Sequence, residues 1–373
     1  MTLRKRRILL LICVIIFVLA ALIVNFYVAG YRLNSKFKIT KTGGIYIYSP
    51  LNYTDIYLNN KFKKQTGALQ KGFFIQNLKP EKYTILAAKE GYWPWQKEIK
   101  VEEEMVTEIK AMLTLQNPAG KVILKGPFLN LYSSPFQKIL VLLEKEKGGA
   151  LKKIIFYLPA QNTFLSPVSQ EKNKSLGLFK DISNIRWEDE SFIFSGGKET
   201  IKVNFNVDEQ TYKTEKINPV KNEISNGVKE PPNEERKFAN FKSSRLENFH
   251  SDFARLSPNK KEMIWRDQNN AIWFDVSSET ASLPYFLLNE KNIEFPIKIF
   301  QSKFPLTHID FLPNRRDIIV VAIDNGVYAL ELDGRGERMI HPVYKGKKPI
   351  FAAFPGEKNI YILDDENLME IEL

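Results

Sequence analysis

The chain has 373 residues, of which 44% are hydrophobic and 26% charged, with a formal net charge of +11 and one cysteine. That balance is ordinary for a folded protein and gives room for two domains with real cores. It excludes a wholly disordered chain, and with Cys13 the only cysteine it excludes a disulfide-stapled scaffold.

The cluster Arg4-Lys5-Arg6-Arg7 precedes an apolar run from Ile8 to Ala29, interrupted only by Asn25 and Tyr27. At about 1.5 Å of rise per residue, such a helix crosses the roughly 30 Å hydrocarbon core of a bilayer. The run predicts a transmembrane signal anchor over 8–29 that makes the lipid bilayer the first partner of the chain. The positive-inside rule then puts a short tail, 1–7, in the cytoplasm and everything from about Tyr31 on the far side, as a single-pass protein of the plasma membrane. A cleaved signal peptide is the competing reading. Its apolar core would be only about 7–15 residues and would end at a small-x-small site. Here the candidate site, Val28-Ala29-Gly30, lies at the far end of a longer run, and Cys13 lies mid-span, where it offers no lipoprotein signal. Removing the four N-terminal cations from the net charge leaves +7 for the exported part, spread among acids. Nucleic-acid binding would call for a concentrated basic stripe with interleaved aromatics, so no nucleic-acid partner is expected.

After a linker at 30–42, residues 43–114 alternate in the manner of short strands. Ile45 and Ile47 share one face before Ser49-Pro50; Ile56 and Leu58 share another before Asn59-Asn60, residues that tolerate the positive φ of a tight hairpin. Tyr83, Ile85 and Ala87 follow the turn Lys79-Pro80-Glu81-Lys82, and Ile109, Ala111 and Leu113 alternate again. A period of two without a helical stripe predicts a small all-β sandwich.

The order of these pieces resembles the PEGA domain, a β-rich module of extracytoplasmic prokaryotic proteins. The matching stretches are Ile45–Pro50, Asp55–Lys61, Asn77–Tyr83 and Lys89–Trp95; Asn60, Lys82 and Lys64 stand where the family has glycines. The resemblance implies a stalk or adaptor without catalytic residues. In Gly91-Tyr92-Trp93-Pro94-Trp95 it implies a turn at Gly91, with Tyr92 and Trp95 plugging the sandwich; stacking on sugar rings is the functional alternative for these aromatics.

From 115 onward a looser unit recurs: a strand near a proline or polar turn, a strongly apolar strand, then a further strand. The units begin at Leu131-Tyr132-Ser133-Ser134-Pro135, Ile185-Arg186-Trp187, Phe253–Pro258, His308–Pro313 and Phe351–Pro355. Repetition of this kind predicts a β-propeller over 115–373. Five units are visible, with room for a degenerate sixth between Leu158 and Ile185 or around Ile293–Leu306. The third and fourth units resemble the blades of Tol-type and WD-repeat propellers, with Asn259 and Asn314 in place of the usual Asp. The spare strand Lys121–Leu124 is expected to complete the last blade and close the ring. Residues 206–244, rich in Glu, Lys, Asn and Pro, predict a disordered insertion.

The fold class is therefore all-β, with an N-terminal transmembrane helix, a small PEGA-like sandwich and a propeller of five to six blades. No cofactor and no metal are expected. His250, His308 and His341 are the only histidines and none is at ligand spacing with another, and Asp364-Asp365-Glu366 reads as a solvated hairpin turn. The chain has no Gly-x-Ser-x-Gly elbow, His-Glu-x-x-His or phosphate loop, so no catalytic residue is assigned. Propeller ligands gather where inner strands converge, which makes Arg186, Arg255 and Asp310 the candidate binding residues. The expected function is an extracytoplasmic binding scaffold of the cell envelope, with an envelope protein or a glycan as partner. The alternative is an enzyme acting on envelope polysaccharide or peptide from the propeller channel.

Overall fold

The computed structural model describes residues 3–33, 39–134, 138–145, 151–167, 179–180, 182–188, 191–196, 199–217, 238–247, 249–250, 253–288, 293–354 and 356–373. One helix, Leu3–Val28, opens the chain. Its segment Arg6–Val28 has a mean hydropathy of 3.3 and no buried residues, and it is long and apolar enough to cross a membrane. The helix ends at Gly30, whose φ of +86° suits glycine. Within the expected linker, Tyr31–Leu33 and Ile39–Lys41 pair as a two-stranded antiparallel sheet. Arg32 stacks 3.5 Å above the Tyr27 ring and donates to the Tyr27 carbonyl, tying this pair to the helix end.

The chain divides into two compact units. The first holds residues up to Leu113 together with two later segments, Pro284–Glu290 and Asp333–Met339. Its core is a sandwich of a three-stranded sheet, in the order Gly72–Leu78, Gly43–Tyr48, Val106–Lys110, and a four-stranded sheet, in the order Lys61–Gln65, Asp55–Leu58, Lys82–Ala88, Trp95–Lys100. The alternating residues face inward as expected: Ile45, Ile47, Ile56, Ile85, Ala87, Trp95 and Ile109 are all buried. Asn59 and Asn60 both take positive φ and join two strands in a tight hairpin. At the aromatic cluster Gly91 has φ +79° and Trp95 is fully buried, while Tyr92 is only half-buried.

Buried beside Trp95 is a lysine. The Lys97 ammonium donates to the Asp333 carbonyl at 2.8 Å and lies 3.6 Å from its carboxylate, with both side chains essentially without solvent contact. Arg335 holds the same carboxylate through Nε and Nη2, at 3.0 and 2.8 Å. Segment 333–339 is therefore built into this unit by charge-assisted bonds that leave no buried ion unpaired.

The second unit holds five sheets of propeller type, each built around four antiparallel strands. The first blade runs through Phe128–Ser133, Leu140–Lys145, Leu151–Leu158 and Thr163–Phe164. The second runs through Ile182–Glu188, Ser191–Gly196, Glu199–Asn206 and Thr211–Ile217. The third comprises Ala254–Leu256, Glu262–Arg266, Ala271–Val276 and Ile297–Gln301. The fourth comprises Leu306–Phe311, Ile318–Ile323, Gly326–Glu331 and Ile340–Lys345. The fifth comprises Ile350–Ala353, Asn359–Asp364 and Asn367–Glu372, and its outer strand is Gly120–Lys125. The expected pairing of an early strand with the last blade is thus present, with Lys121 opposite Glu370 and Val122 opposite Met369. First strands of neighbouring blades touch: Ile350–Ala353 meets both Phe128–Ser133 and Leu306–Phe311, and Leu306–Phe311 meets Ala254–Leu256. Second strands are buried on both faces between blades, Ile318–Ile323 without exception.

Three expectations are corrected. No sixth sheet exists among the described residues of this unit: the stretch around Ile293–Leu306 supplies the outer strand of the third blade, and the stretch after Leu158 supplies short strands added to the first two. The expected disordered insertion contains structure at both ends. Thr211–Ile217 pairs along its length with Glu199–Asn206, and Phe238, Phe241 and Ser243 are buried in the third blade; residues 218–237 lie outside the described residues. Finally, Asp364 is not solvated. It is buried at its hairpin and accepts from the Tyr344 hydroxyl and the Lys347 and Lys348 backbone N–H groups, which leaves Asp365 and Glu366 at the exposed turn with positive φ.

Candidate functional site

On the innermost strand of the fourth blade, alternation divides the side chains into two sets. Ile309 and Phe311 pack into the blade, while His308 and Asp310, two residues apart, share the opposite face. Arg255 comes from the innermost strand of the third blade, where its neighbour Ala254 turns into the hydrophobic core with Met263 and Trp265. Its guanidinium donates to the Ala254 carbonyl at 2.8 Å and projects its charge onto both His308 and Asp310. Arg266, stacked 3.9 Å over the Phe253 ring, adds a second positive charge near His308. Phe351, on the first strand of the fifth blade, closes the other side of the imidazole, with ring centroids 6.1 Å apart.

These surroundings set the protonation states. Asp310 keeps partial solvent access yet is enclosed by protein atoms. Desolvation pushes its carboxyl up to about 6, against the pull of the Arg255 charge and a 2.7 Å bond from the Phe311 N–H. His308 moves the other way, down to about 4, first through burial and then through Arg255 and Arg266. Burial also lowers the Arg266 guanidinium, opposed by Asp267. At neutral pH the cluster therefore presents a guanidinium, a mostly ionised carboxylate and a neutral imidazole whose buried Nδ1 has no hydrogen-bond partner among the described residues. Such a group carries a desolvation cost that an added ligand atom would relieve.

Of the three residues singled out from sequence, the structure brings Arg255 and Asp310 into one electrostatic neighbourhood. Arg186 also lies on an innermost strand, that of the second blade, but its Nε and Nη2 are engaged on Glu188 of the same strand, at 3.0 and 2.9 Å. Sequence reasoning passed over His308 and Arg266. The spacing His308-Ile309-Asp310 within a strand was a usable signal, since positions i and i+2 face the same way. Among the described residues, no group of three or more potential ligands could hold a metal ion. His250 is exposed beside Gln268, and His341 packs against the Thr114 hydroxyl, 3.1 Å away, so neither joins His308.

The other buried acids serve the fold. Asp275 accepts from the backbone and hydroxyl of Ser243, both at 2.7 Å, and Ser243 accepts from the Trp265 indole at 3.0 Å. Asp267 accepts from two backbone N–H groups of its own turn and from the Trp273 indole. Glu262 accepts from Ser257 and from Arg316 of the next blade, and Asp317 takes a two-point bond from Arg315.

Comparison with known proteins identifies no family. No protein-family model matches the chain, so the PEGA resemblance gains no support there. No curated protein matches it either. Among solved structures, the chain is similar to a luciferin-regenerating enzyme at 12% identity and a TM-score of 0.37, over 69% of this chain and 96% of that one. It is also similar to the β-propeller domain of Cps50 (Swd1) from Myceliophteria thermophila, at 9% identity and a TM-score of 0.34, over 78% and 93%. A KlHsv2 variant with loop 6CD replaced by a Gly-Ser linker matches at 10% identity and a TM-score of 0.30, over 87% and 90%. At these values the blade assignment rests on the sheet order described above, and no activity transfers.

Proposed function

We propose that this chain is a membrane-anchored extracytoplasmic binding protein whose propeller-type domain captures a ligand at Arg255, His308 and Asp310. The observation that carries the reading is the buried, unpartnered Nδ1 of His308 beside an ionised carboxylate and a guanidinium on converging inner strands. The helix Arg6–Val28, flanked by Arg4–Arg7, supports insertion with the N-terminus in the cytoplasm. The sandwich fits an adaptor of PEGA type in an envelope protein, and a surface protein or glycan is the partner class. Protease added to spheroplasts tests the topology: the folded units should be digested while an N-terminal tag stays protected. Capture of envelope components by the full chain, compared with Asp310→Asn and Arg255→Glu, tests the site. A soluble mature form starting near Tyr31, or capture unchanged in both variants, would overturn the reading.

The enzymatic alternative keeps one specific point in its favour, a carboxyl near pH 6 within an enclosed cluster that also holds an imidazole. Against it, the second inner-strand carboxylate, Glu188, is exposed and held by Arg186 on another blade. Steady hydrolysis of envelope glycans or peptides, abolished by Asp310→Asn, would establish the alternative.

A further inference from the structure

The outer face of the three-stranded sheet in the first unit carries a second site. Cross-strand register sets Phe74, Tyr46 and Glu108 in one row over three strands. The tips of both aromatic rings reach over glycines of the neighbouring strand: a Cβ on Gly44 would meet the Phe74 ring at 2.4 Å, and one on Gly72 would meet the Tyr46 hydroxyl at 2.3 Å. The rings nevertheless remain exposed, Tyr46 at 37% and Phe74 at 42%, and with Val106, Leu288 and Tyr285 they line a cavity of about 430 Å³. This volume lies toward the lower end of the range for small-molecule sites. All these residues belong to the one unit.

The rim is polar and charge-balanced. Glu108 and Lys110 pair at 3.2 Å, with the Lys110 ammonium 4.6 Å above the Tyr285 ring. Arg335, fixed by Asp333, donates to the Glu108 carbonyl at 2.8 Å and caps the otherwise open edge of strand Val106–Lys110. Two cations and two anions cancel around an apolar floor, which suits an uncharged occupant and disfavours nucleic acid, anionic lipid or an acidic peptide. Exposed rings at paired positions of adjacent strands offer apolar, aromatic surface to a ligand, and the rim offers hydrogen-bond donors and acceptors to groups at its edge. A pyranose combines these features: C–H bonds on a face, hydroxyls around the perimeter.

We infer that this platform binds a neutral oligosaccharide, one sugar ring stacking on Tyr46 and Phe74 and its hydroxyls reaching Glu108 and Lys110. The site is independent of the Arg255–Asp310 cluster. The test is isothermal titration of the full chain, held in polyoxyethylene micelles so that no sugar headgroup competes, with cellohexaose and chitohexaose. Saturable binding of at least one is expected. Phe74→Leu, which keeps an apolar cover over Gly44 but removes the ring, should weaken it at least tenfold. Glu108→Gln, which leaves the platform intact, should weaken it several-fold, and Asp310→Asn should leave it unchanged. Loss of binding in Asp310→Asn would assign the sugar to the propeller cluster and overturn the inference. Failure of both sugars to bind, affinity unchanged in Phe74→Leu and Glu108→Gln, or binding of a proline-rich peptide in their place would overturn it equally.

Discussion

Val122 lies opposite Met369 in antiparallel register, one in the first strand of the propeller-type unit and the other in its last. This pairing makes the fifth blade a product of both ends of the domain. Beneath it, Leu368 packs in a cluster that joins Leu131, Leu140, Leu142 and Tyr157 of the first blade to Ala352, Phe354, Tyr361 and Leu363 of the fifth.

Leu368→Ala should therefore destabilise the whole unit, by about 2–5 kcal/mol, because the fully buried side chain is shared by two blades. Val122→Pro should act in the same direction by disturbing the outer ladder. A single cooperative thermal transition, lowered in both variants, is the expected result. A separate low-temperature transition for the fifth blade alone would show that the ends do not hold the unit together.

The Asp310–His308 cluster predicts opposite pH slopes. Asp310 is raised from an ordinary 3.8 to about 6, so the native state holds its proton longer and this group lowers stability as pH rises from about 4 to 6. His308 is lowered from 6.5 to about 4, so the unfolded state takes up the proton first and this group raises stability over pH 4 to 6.5. The two largely offset each other in the natural protein. Asp310→Asn should expose the rising limb and His308→Gln the falling one, each with a slope approaching about 1.4 kcal/mol per pH unit. Urea midpoints from pH 4 to 7 measure this; two variants that parallel the parent protein would refute it.

Lys97 and Asp333 should respond unequally to substitution. Asp333→Ala leaves the buried Lys97 ammonium its carbonyl bond but no counter-ion and removes the anchor of Arg335, a loss of about 3–5 kcal/mol. Lys97→Met leaves Asp333 in its two-point bond with Arg335 and removes a buried charge, so it should cost markedly less. Chemical denaturation of the two variants decides the order, and equal losses would contradict it.

Ser243→Ala should cost about 1.5–3 kcal/mol, because it removes a bond to the buried Asp275 carboxylate and leaves the Trp265 indole without its acceptor. Ser243→Thr should recover part of this. Deleting Gln210–Phe238 should now be strongly destabilising, since it removes the outer strand of the second blade and a buried phenylalanine from the third. Melting temperatures close to that of the parent would show that neither end of this stretch supports the fold.

Much of the architecture was legible in the amino-acid order, because its signals are local. The apolar run after Arg7 specifies a helix long enough to cross a membrane, whatever follows it. Asn59-Asn60 specifies a tight hairpin, and the apolar second strands, such as Ile318–Ile323, mark each blade because both faces are covered. The outer strands escaped notice for the converse reason. Thr211–Ile217 carries three charges and only two aliphatic or aromatic side chains, and its strand state is imposed by the partner Glu199–Asn206. The candidate sites lie further still from local information. Arg255, His308 and Asp310 are individually unremarkable in sequence; the altered protonation of His308 and Asp310 comes from the burial and charges that neighbouring blades contribute. Likewise, nothing in the order of residues brings Tyr285 and Arg335 beside Tyr46 and Phe74. Periodicity reports which faces are covered within an element, whereas long-range packing decides which elements meet, and binding chemistry depends on the second.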